Sequence, residues 1–414
     1  MRRLRESLAR VQVFRYAQLE HGRRRSSCRY RVPVTVYVVL DDIRRGGVRH
    51  MGLIPRTIHD IDTPAAVVDL DLVRRNIQAL QTYLDGTPVH IRPHVKTHKT
   101  PQIALMQIAA GAPGVTSAKV GEAEAMVAGG VHDVLIANQV VGPAKISRLC
   151  ALAQNARITV AVDDARNVQD LSAAAVAAGV TIGVVVEIEV GMKRCGVAAG
   201  APAVTLAQTV AAAPGLDLVG LMGYEGHTVA IEDHAERAAA ARGALGRVIE
   251  TKALCEAAGL NIREVTGGGT NTFDITSKID GWTELQCGTY ATMDAGFRPH
   301  SGHMFESAFW ILASVISRPA TDRVVLDAGR KAVSFEPGGT PIIEDPSGLE
   351  IESLSEEHAK VSLTSQNPDL QPGQKVRITP WHGCTTFNLH DTVYVVQDDE
   401  VVDVWSIAGR GKFT

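Results

Sequence analysis

The sequence lacks paired cysteines. Cys28, Cys150, Cys195, Cys255, Cys287 and Cys384 are widely scattered along 414 residues, which fits reduced thiols in a cytoplasmic protein better than a disulfide framework. It also lacks an excess of either charge. With 42 lysines and arginines against 45 acids, the formal net charge is −3, and nothing global points to nucleic acid or a membrane surface. Long apolar runs are missing too: Val32 to Leu40 is a short one, and none approaches the roughly 20 residues a spanning helix needs. What remains is an ordinary globular composition, 45% hydrophobic, in a chain long enough for one large domain and a smaller one.

Lysine is absent from the first fifty residues, which hold thirteen arginines against four acids (Glu6, Glu20, Asp41, Asp42). A basic tail, a transit-like segment and translated upstream sequence ahead of a start at Met51 compete as explanations. Serine is too sparse for a transit peptide, and the start at Met51 is favoured. Residues 1–50 are therefore expected to be a disordered or spurious extension that carries little of the function.

From Asp62 onward β-prone runs alternate with Ala-rich helical ones. Strands are expected at Val89 to Val95, Gly114 to Ala118, Val134 to Ala137, Ile158 to Val162, Ile182 to Ile188, Leu216 to Met222, Ile262 to Thr266 and Glu284 to Gln286. Helical spacing fills the gaps, as in Asp71 to Leu84 with Val73, Ile77, Leu80 and Leu84 on one face. Eight such units over 62–298 predict an α/β fold, a (β/α)8 TIM-type barrel. An open doubly wound sheet would place a glycine-rich loop after its first strand, and Arg92 to Lys99 has no glycine. Past Arg298 the helical repeat stops, and β-like runs between Pro-Gly loops predict a β-rich C-terminal domain over 299–414.

The ends of the expected strands form one rim, and that rim carries the chemistry. After the first strand comes Arg92-Pro93-His94-Val95-Lys96-Thr97-His98-Lys99. A solvated loop would carry such charge at no cost. A lysine held among cations at a strand end, partly buried, is instead neutral often enough to form an imine. Glycine turns follow the seventh strand (Gly267, Gly268, Gly269, then Thr270) and the eighth (Gly288, Thr289). Barrels bind phosphate there, because bare backbone lets N–H groups converge on an anion. An imine lysine on one side of the mouth and a phosphate site on the other suggest pyridoxal phosphate.

These motifs, with Gly-Met-Lys-Arg-Cys-Gly at 191–196, Val-Gly-Pro-Ala-Lys at 141–145, Thr-Gly-Gly-Gly-Thr at 266–270 and Glu-Leu-Gln-Cys-Gly at 284–288, resemble the D-threonine aldolase and D-serine dehydratase family. These are fold-type III pyridoxal phosphate enzymes related to alanine racemase, and the resemblance runs from about Asp62 to the C-terminus. It implies that Lys96 is the imine lysine, with Lys99 as competitor. It also directs Gly268, Gly269, Thr270, Gly288 and Thr289 at the phosphate and sets Tyr224 near the pyridine ring. Arg194 either contacts the cofactor or fixes its loop through Glu187 or Glu189.

Trp381-His382-Gly383-Cys384 is the second decisive motif. Two residues apart in an extended segment, His382 and Cys384 are expected to project to the same side and share one divalent ion. Two protein ligands leave coordination positions for water and substrate, as a catalytic ion requires. The thiolate favours Zn²⁺, whereas a carboxylate would favour Mn²⁺ or Mg²⁺. In the family, His-x-Cys belongs to the D-serine dehydratases and His-x-Asp to the aldolases, although Thr386 to Asp391 looks aldolase-like. The expectation is thus a pyridoxal phosphate- and metal-dependent lyase on small D-3-hydroxy amino acids, with dehydration to a 2-oxo acid and ammonia placed ahead of retro-aldol cleavage. A non-catalytic pyridoxal phosphate-binding protein is the alternative, and the resemblance further implies a homodimer.

Overall fold

The computed structural model describes residues 55–334, 336, 338–363 and 369–414. The expectations for residues 1–50 and the start at Met51 lie outside them. Strand β1 (Ala65–Asp69) opens the described fold and runs into helix α1 (Leu70–Leu84). The Asp69 carboxylate caps that helix, accepting the N–H groups of Asp71 and Leu72 at 2.9 Å each. Val73, Ile77, Leu80 and Leu84 lie on its buried face, as their spacing requires.

Strands then alternate with helices: β2 (His90–Ile91), α2 (Pro101–Ala109), β3 (Val115–Ser117), α3 (Val120–Ala128), β4 (Asp133–Gln139), α4 (Pro143–Ala153), β5 (Arg157–Val162), α5 (Ala165–Ala178) and β6 (Ile182–Glu189) lead to a two-residue edge strand, β7 (Val197–Ala198). They continue with α6 (Ala201–Ala212), β8 (Leu216–Gly223), α7 (His234–Ala257) and β9 (Glu264–Gly267), and β10 (Glu284–Leu285) completes the set. The parallel order is β2, β10, β9, β8, β6, β5, β4, β3. Closure comes just past β2, where a parallel bridge joins His94 to Thr116 and the Val95 N–H donates to the Thr116 carbonyl at 2.8 Å.

Successive residues of a strand face opposite sides, and here both sides are buried. Leu135, Ala161, Val185, Val219 and Met222 pack together as one cluster, while Val134, Ile136, Val160, Val162, Val184 and Val186 join the large core. That double burial produces the continuous apolar runs in the sequence. The result is the expected (β/α)8 barrel.

The C-terminal sheet is built on β11 (Phe309–Ala320), paired antiparallel with β12 (Arg323–Leu326) and β16 (Lys375–Thr379). Strand β13 (Ile342–Asp345) extends β16, while β14 (Leu349–Leu354) and β15 (Ala359–Leu363) extend β12. Strands β17 (Thr392–Gln397) and β18 (Glu400–Ser406) finish it. Strand β1 belongs here, lying antiparallel to β11 and parallel to β17. The segment read as opening the 62–298 barrel region thus gives its first strand to the other sheet. The reason is double burial: Ala66 and Val68 enter the large core, whereas Ala65 and Val67 pack with Trp310 and Leu312. Among the described residues, no helix is long and apolar enough to cross a membrane.

Candidate active site

Lys96 and Lys99 leave β2 on one short turn and meet different surroundings. Lys99 is buried in an ion pair with Glu122, whose carboxylate also accepts the Ala118 N–H at 2.7 Å. Lys96 instead lines a cavity of about 300 Å³ at the C-terminal ends of the barrel strands. Its Nζ stands 5.9 Å from the centroid of the Tyr224 ring. Of the two lysines, Lys96 is the one that lines this cavity.

His94 shares that cavity. Burial, and then the Lys96 cation beside it, hold its pKa well below the usual imidazole range and favour the neutral ring. His98 is held down at about 4 by burial and pairs with Gln107 at 3.3 Å, facing the fold rather than the cavity. Tyr224 is pushed up to about 12, chiefly by burial. The Arg194 guanidinium lies 5.5 Å from the Tyr224 centroid and 3.8 Å from the Glu187 carboxylate. Both sequence readings of Arg194 are therefore compatible, since one half-exposed guanidinium reaches Glu187 and the cavity together. Glu189 acts elsewhere, where its Oε1 accepts the N–H groups of Gly191 and Lys193 at 2.7 and 2.8 Å and shapes their loop.

Gly268, Gly269, Thr270, Gly288 and Thr289 form another part of the lining. Gly268 has φ +74°, a conformation that side chains disfavour. At Gly288 an added Cβ would sit 2.5 Å from Thr97 Oγ1, so this turn must be bare to close onto the lysine segment. The Tyr290 N–H donates to Thr270 Oγ1 at 3.1 Å and ties the two turns together. Amine, aromatic face and side-chain-free turns around one cavity fit pyridoxal phosphate.

His382 and Cys384 line the same cavity, in the same chain as Lys96. The expected extended geometry needs correction. His382 is extended, but Gly383–Phe387 is a five-residue helix and Cys384 lies in its first turn. The helix starts there because the fully buried Asp294 carboxylate accepts the Gly383 N–H at 2.8 Å. Burial disfavours charge on both side chains, yet their mutual attraction outweighs it. Cys384, with Asp294, carries His382 up to about 11, and His382, with Lys96, brings the Cys384 thiol below its ordinary value. A neighbouring imidazole nitrogen and thiolate suit a divalent ion of intermediate softness.

Asp294 and Gln286 also belong to this region, and sequence reasoning missed both. Gln286 lies inside the 284–288 motif without a chemical signature of its own, and Asp294 falls where the helical repeat dies out. Conversely, one His/Glu cluster with ligand-like spacing lies at the opposite mouth: His90, Glu264 and Glu284 begin their strands, with candidate ligand atoms within 4.8 Å of one another. Glu284 is already committed there, accepting from Arg92 Nε at 2.7 Å, His90 Nε2 at 2.9 Å and Thr266 Oγ1 at 2.7 Å. Its chemistry is that of a buried ion-pair network.

Residues 68–295 match the family model "Alanine racemase, N-terminal domain", and residues 308–396 match "Putative serine dehydratase domain". Over 356 residues, 85% of this chain and 93% of the relative, the sequence is 42% identical to D-threonine aldolase of Arthrobacter sp. The chain belongs to the D-threonine aldolase and D-serine dehydratase family. Another member of this family, D-threo-3-hydroxyaspartate dehydratase of Delftia sp. (strain HT23), is 30% identical over 377 residues, 84% of this chain and 98% of that one. The crystal structure of D-threonine aldolase from Filomicrobium marinum superposes with a TM-score of 0.83 at 41% identity, covering 87% of this chain and 99% of that one. As a member of the D-threonine aldolase and D-serine dehydratase family, the chain is a pyridoxal phosphate-dependent lyase.

Proposed function

We propose that this lyase cleaves D-3-hydroxy-α-amino acids by a retro-aldol reaction, releasing glycine and an aldehyde. The observation that carries the reading is that His94, an imidazole whose burial favours its neutral form, lines one cavity with the Lys96 amine and the His382 and Cys384 pair. Retro-aldol cleavage needs a base at the β-hydroxyl, and a neutral imidazole supplies one. Bound in the cavity, pyridoxal phosphate supplies an electron sink for charge developing at the α-carbon, and a divalent ion on His382 and Cys384 supplies Lewis acidity at the hydroxyl.

The chain's own residues divide the remaining work. Lys96 holds the cofactor aldehyde, and Gly268, Gly269, Thr270, Gly288 and Thr289 hold its phosphate. Tyr224 would lie beside the cofactor ring, and Arg194 would offer a cation to the substrate carboxylate. His94 takes the hydroxyl proton as the Cα–Cβ bond breaks, and Lys96, freed from the cofactor aldehyde by the substrate amine and carrying the proton that amine gives up, delivers it to the α-carbon. The high identity to an aldolase over nearly its whole length supports placing this reaction first, which reverses the order expected from the sequence.

Dehydration is the second reading, favoured by the Cys384 thiol. There Lys96 removes the α-proton, the hydroxyl leaves as water, and hydrolysis gives a 2-oxo acid and ammonia. Incubating protein with pyridoxal phosphate, Zn²⁺ or Mn²⁺ and D-threonine separates the readings. Glycine with acetaldehyde supports the first, 2-oxobutanoate with ammonia the second, and the absence of both moves the assay to 3-hydroxy-D-aspartate as substrate. Zn²⁺ as the preferred ion and a homodimer belong to the same proposal; metal analysis and sedimentation test them.

A further inference from the structure

We infer that Asp294 is the positioning residue of the ion site: it clamps one nitrogen of His382 so that the other faces a divalent cation. The inference rests on the reading that His382 and Cys384 bind that cation. Asp294 is fully buried, and its carboxylate is shared three ways. Oδ2 lies 3.1 Å from His382 Nδ1 and accepts the Gly383 N–H at 2.8 Å, while Oδ1 accepts the Phe297 N–H at 3.0 Å.

A carboxylate accepts but does not donate, so the nitrogen it holds on a neutral imidazole is the protonated one. That leaves Nε2 with its lone pair. The ring is held on its face as well, because Phe297 stacks on it with centroids 5.8 Å apart and planes 18° from parallel. Edge and face together remove the freedom of an otherwise rotatable side chain.

The anchor is itself fixed to the barrel. Asp294 follows the turn after β10, and Ala295 and Gly296 donate N–H groups to the carbonyls of Pro380 and Trp381 at 3.1 and 2.9 Å. The residue before it, Met293, is fully buried with φ +46°, a strained conformation for a side chain. Strain of this kind persists where surrounding contacts over-determine the backbone. Here it aims Asp294 at the loop of the other domain. The cofactor turn after β10 and the ion loop thereby share one rigid connection.

The test measures ion affinity, apart from turnover, on the cofactor-loaded enzyme. Mn²⁺ and Zn²⁺ are titrated calorimetrically into the parent, Asp294→Asn, Asp294→Glu and His382→Ala. Loss of an outer carboxylate partner is expected to weaken ion binding by about 10–100-fold in Asp294→Asn, with partial recovery in Asp294→Glu. The cofactor absorbance should stay unchanged. Equal affinity in parent and Asp294→Asn overturns the inference, as does simultaneous loss of cofactor absorbance, which marks a general structural role. Selective ¹⁵N labelling of histidine in the parent gives a check independent of variant folding. In the ion-loaded parent, His382 protonated at Nδ1 supports the clamp, and protonation at Nε2 alone overturns it. A parent that binds no ion, or binds it equally in His382→Ala, overturns the ion reading itself and the clamp with it.

Discussion

Replacing Glu284 by Gln tests how the mouth of the barrel opposite the active site is held. Glu284 is 2% exposed and accepts from three donors; beside it Arg92 spans to Asp133 Oδ1 at 2.6 Å. Glutamine keeps the shape but removes the charge and turns one acceptor into a donor facing Arg92 and His90. Breaking a buried pair by removing one partner costs about 3–5 kcal/mol. Because Asp133 still neutralises Arg92, the lower end applies, about 3 kcal/mol. With a urea m-value of about 3 kcal/mol/M the unfolding midpoint falls by about 1 M.

The pH dependence carries a second signature. Burial lowers the His90 pKa, but Glu284 more than offsets it, so the folded value is raised. That contribution is complete below the unfolded value of about 6.5 and is lost as pH rises through the folded one. Glu284 behaves oppositely. Burial raises its pKa, Arg92 and His90 outweigh that, and its stabilisation is present above about 4.3 and lost as pH falls through the depressed folded value. Circular dichroism of urea unfolding across this range should show both slopes in the parent and neither in Glu284→Gln. An unchanged midpoint, or both slopes surviving in the variant, refutes the network.

Lys96→Ala should abolish the cofactor's visible absorbance and turnover, whereas Lys99→Met should keep the absorbance while losing about 3–5 kcal/mol by stranding the Glu122 charge, as spectra and urea unfolding will tell. Gly288→Ala should raise the cofactor dissociation constant, read by absorbance titration, because its methyl would meet Thr97 Oγ1. Cys384→Asp should shift the preferred ion from Zn²⁺ toward Mn²⁺ or Mg²⁺, measured as reactivation of chelated enzyme by each metal.

The barrel was legible because its strands are buried on both faces, so runs such as Ile182–Glu189 stand out against Ala-rich helices. That Lys96, the glycine turns and the His382 and Cys384 pair line one cavity was legible because each stands at a strand end or loop on the same rim. Strands β13 to β15 were not: Ile342–Asp345 is largely exposed, and Leu349–Leu354 places glutamates between its apolar residues. The geometry of His382-Gly383-Cys384 was hidden for a different reason. A contact with Asp294, 89 positions away, starts a helix where local sequence reads as extended. Likewise, no neighbouring residue reports that Glu122, rather than a ligand, claims Lys99.

The position of β1 bears on how such a protein can be divided. Its strand lies between β11 and β17, so the C-terminal sheet is assembled from both ends of the described fold. A fragment beginning at 299 would expose two strand edges in its middle, and a barrel fragment ending at 298 would carry an apolar strand with no partner. The barrel and the C-terminal domain are therefore not exchangeable modules. Complementation by fragments requires that a cut leave Ala65–Asp69 joined to α1 and free to thread the second sheet, which makes any functional split a problem of strand insertion rather than of domain docking.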